Sequence, residues 1–235
     1  MPGNQEKTQI PPLKILLLGA TGMVGQGVLR ECLLDPGVES VLAIGRSATG
    51  NRDPKLREIV VGDLFDLSAI EEDLTGLDAC FFCLGVSSMG MSEESYSRIT
   101  FDLTMSVATR LARLDPDMSF VYVSGTGTDR TEYGRAMWAR VKGKTENALL
   151  ALPLRAYMFR PGVIVPLHGI RSKTGWYRAF YALLTPLSPV LRKVFPKSVT
   201  TTEHVGRAMI AVARHGYVNR VIETRDIDKL GSGPA

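Results

Sequence analysis

"LKILLLGATGMVG", residues 13–25, decides the fold. It opens with a short continuous apolar run, the pattern of a strand covered on both faces. It then places Gly19, Gly22 and Gly25 at three-residue intervals. A helical pattern follows over Met23–Leu34, closed by the stop signal "DPG" at 35–37. In such a strand–turn–helix unit each glycine has its own task. The first permits the tight turn, the second lets the backbone approach a pyrophosphate, and the third lets helix and strand pack closely. The phosphates would sit over the helix N-terminus beside Thr21, Met23 and Val24, where unpaired N–H groups and the positive dipole end favour anions.

The same alternation continues outward. "SVLAIG" (40–45) reads as a second strand, "EIVVGD" (58–63) as a third, "DACFFCLG" (78–85) as a fourth, "SFVYVSG" (119–125) as a fifth and "RAYMFRPG" (155–162) as a sixth. Helices are expected over 68–74 with Ser68 as its cap, over 92–114 up to Asp115-Pro116, and over 135–152. Strands alternating with helices call for an α/β fold, a doubly wound parallel Rossmann sheet with helices on both faces. After residue 162 the alternation weakens. Residues 163–202 are read as a small cap region with a helix in 174–194, and an amphipathic helix (202–216) and a late strand (220–224) close the domain over 13–235.

Composition sets the class. The chain has 235 residues, 45% of them hydrophobic, which suits one sizeable soluble domain. The net charge of +4 is too small to call for nucleic acid, but residues 147–202 carry eight basic residues and no acidic one. That block reads either as a solvated basic face or as a site for an anionic small molecule or an acidic membrane surface. The stretch "MPGNQEKTQIPP" (1–12) reads as a disordered tail and not as a signal peptide. The uncharged run Ala179–Leu191 has thirteen residues and two prolines, too short to span a bilayer. Cys80 and Cys83 form a C-x-x-C pattern within a strand, where positions three apart point to opposite faces, so core thiols in a reducing cytoplasm are expected. The three histidines show no metal-ligand spacing, and no metal is expected.

The residue that ends the second strand selects the cofactor. An NAD-preferring site carries Asp or Glu there, about twenty residues past the glycines, to hold the ribose hydroxyls. This chain has Arg46, in "AIGRSATGNR". A guanidinium there suits a 2′-phosphate through charge-assisted hydrogen bonds, so NADP is expected over NAD. The alternative is a solvent-exposed arginine on an NAD-binding loop.

With these residues assembled, the chain resembles the atypical short-chain dehydrogenase/reductase superfamily. Within it the likeness is to NAD(P)-dependent epimerase/dehydratase and Tat-interacting-protein-like oxidoreductases. The resemblance spans about residues 13–224 and rests on "LLLGATGMVG", "VVGDL", "FFCLG", "YVSGTG", "RVKGKTE" and "FRPG". It implies that Asp63 and Leu64 lie near the adenine and that Leu84 and Gly85 line the dinucleotide. It places Ser124 and Lys142 at the nicotinamide end, and Pro161 and Gly162 close to the carboxamide. The family pattern carries a tyrosine four residues before the lysine as general acid/base. Here that place holds Trp138, whose indole N–H can donate a hydrogen bond but cannot transfer a proton at neutral pH. Trp138 reads as a flat wall of the nicotinamide pocket or, at helical spacing with Lys142, Thr145 and Leu149, as a core residue. Tyr133 and His168 are the further candidates for the pocket.

The leading expectation is an NADP-binding oxidoreductase-like protein acting on a small carbonyl or sugar-like substrate. In that reading Ser124 polarises the carbonyl and Lys142 holds the nicotinamide ribose. The alternatives are a non-catalytic NADPH-binding sensor or assembly factor, and a peripheral membrane protein that uses the basic, aromatic-rich segment 171–197.

Overall fold

The computed structural model describes residues 11–170 and 198–233. The helix expected within 174–194, most of the basic block and most of the N-terminal tail lie outside the described residues. Strand β1 is Leu13–Leu18, and helix α1 is Met23–Leu34, the span read from the periodicity. Then come β2 (Val38–Gly45), β3 (Leu56–Val60), a 3-10 turn at Ser68–Leu74, and β4 (Ala79–Phe82). The middle of the chain supplies α2 (Glu93–Ser97), α3 (Leu103–Leu114), β5 (Ser119–Val123), α4 (Met137–Ala151) and β6 (Arg155–Arg160). Last come β7 (Val163–Val165), β8 (Val199–Thr201), α5 (Thr202–His215), β9 (Val221–Glu223) and α6 (Thr224–Gly231).

Seven strands form one sheet in the order β3-β2-β1-β4-β5-β6-β9, and all its pairings are parallel. This is the doubly wound order, whose direction of strand addition reverses between β1 and β4. Ligands of such sheets bind in the crevice outside the strand C-termini at that reversal. The central strands are buried on both sides because their side chains alternate between two apolar cores. Ile15 and Leu17 pack with α1 and α5, while Leu16 and Leu18 pack with α3 and α4. Cys80 and Cys83 likewise contact opposite cores, and all three cysteines are free thiols. The fully buried Phe81 and Phe82 divide in the same way. Truncating either to Ala would cost about 3–5 kcal/mol.

Several local expectations need correction. The third strand covers 56–60 and not 58–63, because β2 ends at Gly45, which pairs with Val60 and leaves later residues no strand partner. Ser68 does not cap the turn that it begins; its N–H donates to Asp66 Oδ1 at 2.9 Å, so the preceding aspartate fixes the entry. The long helix expected over 92–114 does begin on Ser92, whose side chain accepts from the Ser95 N–H. It then widens into a π turn at Arg98–Asp102 before α3 resumes. The short strands β7 and β8, which pair with each other in a separate parallel sheet, and helix α6 were not legible from periodicity.

Candidate functional site

The β1–α1 turn is built around its glycines. Gly19 has φ +86°, and an added Cβ would come within 2.7 Å of the Cys83 carbonyl carbon on the turn after β4. A Cβ on Gly25 would lie 2.0 Å from the Gly19 oxygen, so that glycine is required for helix α1 to pack against its own strand. Gly22 is the N-cap residue of α1 and brings no side chain to the helix start, nor is there an acidic residue in the first turn. The first-turn amides are therefore left for an anion, an arrangement that fits a pyrophosphate.

Two cavities flank this turn and meet at Leu84. The first, about 300 Å³, lies on the β2–β3 side and is lined by Gly19, Thr21, Arg46, Thr49, Glu58 and Leu64 among others. The second, about 500 Å³, lies over the ends of β4, β5 and β6. Its walls include Gly22, Met23, Val24, Gly85, Ser124, Thr126, Lys142, Pro161 and Gly162. Together they make a crevice at the sheet's reversal point with a size typical of cofactor sites. Arg46 is exposed at the mouth of the first cavity. Across from it the sheet delivers a carboxylate that the reading of β2 alone missed: Glu58, opposite Ala43 on β3, which accepts the Thr49 N–H at 2.7 Å.

At the other end, α4 carries Lys142 and Glu146 one turn apart, on one face. Glu146 is fully buried and its charge is met by Arg160 of β6, which donates from Nε to Oε1 at 2.9 Å and from Nη2 to Oε2 at 2.5 Å. Hydrogen bonding to Glu146 holds the Arg160 guanidinium above its ordinary pKa. Ser124 is 5% exposed, and its hydroxyl proton is directed to Glu146 Oε1 at 2.6 Å, with the Phe159 carbonyl at 3.0 Å as the other acceptor. In this arrangement Ser124 braces the buried acid and does not present its proton to the cavity. The expectation that Ser124 polarises a carbonyl is corrected accordingly. Thr126, two residues on, is exposed and lines the same cavity; its hydroxyl donates to the Arg160 carbonyl at 3.1 Å and lies 3.4 Å from the Thr224 hydroxyl. Lys142 donates from Nζ to the Ser124 carbonyl oxygen. Burial lowers its pKa to about 8, with the Glu146 carboxylate pulling in the opposite direction.

The remaining candidates are not gathered here. Asp63 is exposed, accepts the Phe65 N–H at 2.9 Å and lies outside the first cavity, whereas its neighbour Leu64 lines it. Trp138 is half-buried one turn before Lys142, with its ring edge 3.4 Å from where a Gly127 Cβ would lie, so it supports the 125–128 loop and does not line the cavity. Tyr133 is 92% exposed and lines neither cavity. His168 is paired with Glu203 at 2.7 Å. It forms with Glu31 and Glu203 a cluster whose ligand atoms lie within 4.8 Å of one another, a grouping invisible in the sequence spacing. Arg30 and Arg207 neutralise those carboxylates at 2.5–3.0 Å, which closes the group as an ion-pair network. No helix among the described residues is long and apolar enough to cross a membrane. Of the residues that sequence reasoning missed, Glu146 alone had a signal: it lies one turn past Lys142 in "RVKGKTE".

Comparison with known proteins agrees with this layout. The chain is 29% identical over 159 residues to "Protein fmp52, mitochondrial" of Emericella nidulans, covering 64% of this chain and 66% of that one. It is 27% identical over 154 residues to "Protein HTATIP2" of Rattus norvegicus, covering 64% and 62%. The alignments thus span just under two thirds of those relatives' own lengths. Among solved structures, the fold is shared with the Bordetella bronchiseptica enzyme WbmF in complex with NAD+, at TM-score 0.65 and 14% identity over 94% of this chain and 78% of that one. It is shared also with a UDP-N-acetylglucosamine 4-epimerase from Methanobrevibacter ruminantium, at TM-score 0.67 and 14% identity over 90% and 76%. The family model described as "NAD dependent epimerase/dehydratase family" matches residues 15–148, more than half of the chain. The chain belongs to the NAD dependent epimerase/dehydratase family.

Proposed function

We propose that this chain is an NADP-dependent oxidoreductase that acts on a small carbonyl or sugar-like compound. The observation that carries this reading is the pair of cavities that share Leu84 and flank the β1–α1 turn, one lined by Arg46 and the other by Lys142 and Thr126. When bound, the dinucleotide would supply or accept hydride at the Lys142 end. The chain's own residues do the rest. Gly19 and Gly22 bring backbone against the pyrophosphate, Arg46 pairs with a 2′-phosphate, and Lys142 offers N–H donors to ribose hydroxyls. Thr126 offers its hydroxyl to a substrate oxygen, and the Glu146–Arg160 pair fixes the floor on which Ser124 and Lys142 stand. That WbmF is described in complex with NAD+ supports a nicotinamide dinucleotide; the choice of NADP rests on Arg46 alone. The three free thiols support a reducing compartment, and we place the protein in the cytoplasm.

Calorimetric titration of both cofactors tests the reading, followed by NADPH oxidation with small aldehydes, ketones and nucleotide sugars. NADPH should bind more tightly than NADH, and Arg46→Ala should remove about 1.5–3 kcal/mol from NADPH binding only, roughly 10- to 150-fold. Equal losses for both cofactors would remove Arg46 from the phosphate site. A second reading, a non-catalytic NADPH-binding sensor, is favoured by one observation: Trp138 occupies the acid's place on α4. Tight NADPH binding without turnover of any carbonyl compound would select it.

A further inference from the structure

Resting on the oxidoreductase reading, we propose that Lys142 is itself the general acid of this site, giving its ammonium proton to the substrate oxygen in the part a phenol would play at position 138. Among the described residues, only two side chains that line the second cavity can ionise, Cys83 and Lys142. Cys83 is held protonated, its thiol pushed up to about 12 by burial. Trp138 has no proton to transfer at neutral pH, Tyr133 is exposed and does not line the cavity, and His168 is paired with Glu203.

The surroundings of Lys142 keep its proton available. On its own helix the facing charge is Glu146, but that carboxylate is taken by Arg160 from β6 through both oxygens and by the Ser124 hydroxyl from β5. Just beyond β5 Lys142 itself meets a neutral carbonyl, that of Ser124, and the Cys83 thiol that shares the cavity's lining is neutral. A half-buried ammonium without a carboxylate of its own loses its proton more readily than one in water, which brings Lys142 to about 8. A group in that range is protonated at neutral pH yet is a competent acid. In a carbonyl reduction the carbonyl carbon takes hydride from the reduced dinucleotide. The C=O π pair becomes the new O–H bond with the Lys142 proton, and the neutral amine left behind regains a proton from water. In the reverse direction the amine takes the hydroxyl proton as hydride leaves the carbon.

The test combines three measurements on the full chain. The first is NMR titration of lysine side chains labelled at Cε, with the Lys142 signal identified by its loss in Lys142→Arg. The second is the pH profile of kcat/KM for NADPH-dependent reduction of benzaldehyde and diacetyl. The third is turnover and cofactor affinity of Lys142→Arg, and of Tyr177→Phe and Tyr181→Phe, which remove the two phenols of the basic, aromatic-rich segment 171–197. The proposal expects Lys142 to titrate near 8 in the free protein and kcat/KM of the wild type to fall above that pH. It expects Lys142→Arg to bind NADPH within a few-fold of wild type but to turn over at least about 100-fold more slowly. Both Tyr→Phe variants should keep wild-type turnover. A wild-type spectrum in which every lysine signal titrates near the ordinary value of about 10.4 overturns the proposal even if Lys142→Arg fails to fold. Retained turnover in Lys142→Arg, or its loss in a Tyr→Phe variant, overturns it while leaving the oxidoreductase reading intact. A wild type that binds NADPH but reduces no carbonyl compound overturns that reading first, and the acid with it.

Discussion

Replacing Glu146 with Gln tests whether the buried ion pair holds the site together. Glu146 is fully buried, Arg160 is 15% exposed, and two hydrogen bonds of 2.9 and 2.5 Å join them. Removing one partner of a buried pair typically costs about 3–5 kcal/mol, because the other charge stays behind uncompensated. Glutamine keeps the shape and can still accept from Ser124, and Arg160 retains Glu223 at 3.3 Å, so the lower end of that range, about 3 kcal/mol, applies here. In a chain of this size that corresponds to a fall in Tm of about 6–12 °C. The double variant Glu146→Met with Arg160→Met removes both charges together and should recover much of the loss. The same substitution acts on Lys142, since the Glu146 carboxylate opposes the effect of burial; without it the lysine should titrate below about 8. Thermal unfolding by circular dichroism and NMR titration read both effects. A Tm within about 3 °C of wild type, together with an unmoved Lys142, would refute the reasoning, because it would mean that water already shields the pair.

Other outcomes follow from the same geometry. Gly22→Val should abolish NADPH binding while leaving helix content and Tm near wild type, since its branched side chain would enter the phosphate space; undiminished affinity in calorimetry would show that the turn cradles no phosphate. Trp138 packs on the 125–128 loop outside the cavity, so Trp138→Tyr should lower Tm without raising NADPH oxidation with simple carbonyl compounds; turnover clearly above wild type would place position 138 in the site. Lys142 has a folded pKa of about 8, below the ordinary lysine value, so between pH 8 and about 10.4 the unfolded chain binds more protons and this lysine's contribution to stability rises with pH. Cys83, raised to about 12, acts with the opposite sign above its unfolded value, so the measurement is the wild type minus Lys142→Met difference. That difference should grow in favour of wild type across this window, and a flat difference would contradict the burial of Lys142.

The sequence was most informative where local pattern and chain geometry coincide. The apolar run before Gly19 and the glycine spacing gave β1, α1 and the crevice, because a parallel strand buried on both faces leaves no other reading. It was least informative where tertiary structure chooses a side chain's direction. Ser124 and Thr126 lie two apart just beyond β5, and it is Glu146, 22 residues after Ser124, together with the Phe159 carbonyl, that draws the Ser124 hydroxyl inward. Glu58 reaches the first cavity from the neighbouring strand, so no reading of the β2 terminus alone could find it. His168 meets Glu203 across 35 residues, which separates it from the crevice that chain order had suggested. Strands as short as β7 and β8 carry too few residues for any periodicity to show.

A crystal structure with NADPH bound tests the account most directly. The account expects the pyrophosphate over the α1 amides at Gly22, the 2′-phosphate against the Arg46 guanidinium, and the nicotinamide ribose within hydrogen-bonding reach of Lys142 Nζ, with Thr126 and not Ser124 presenting its hydroxyl to the space above the ring. A dinucleotide seated elsewhere, or one whose nicotinamide end lies away from Lys142, would contradict it.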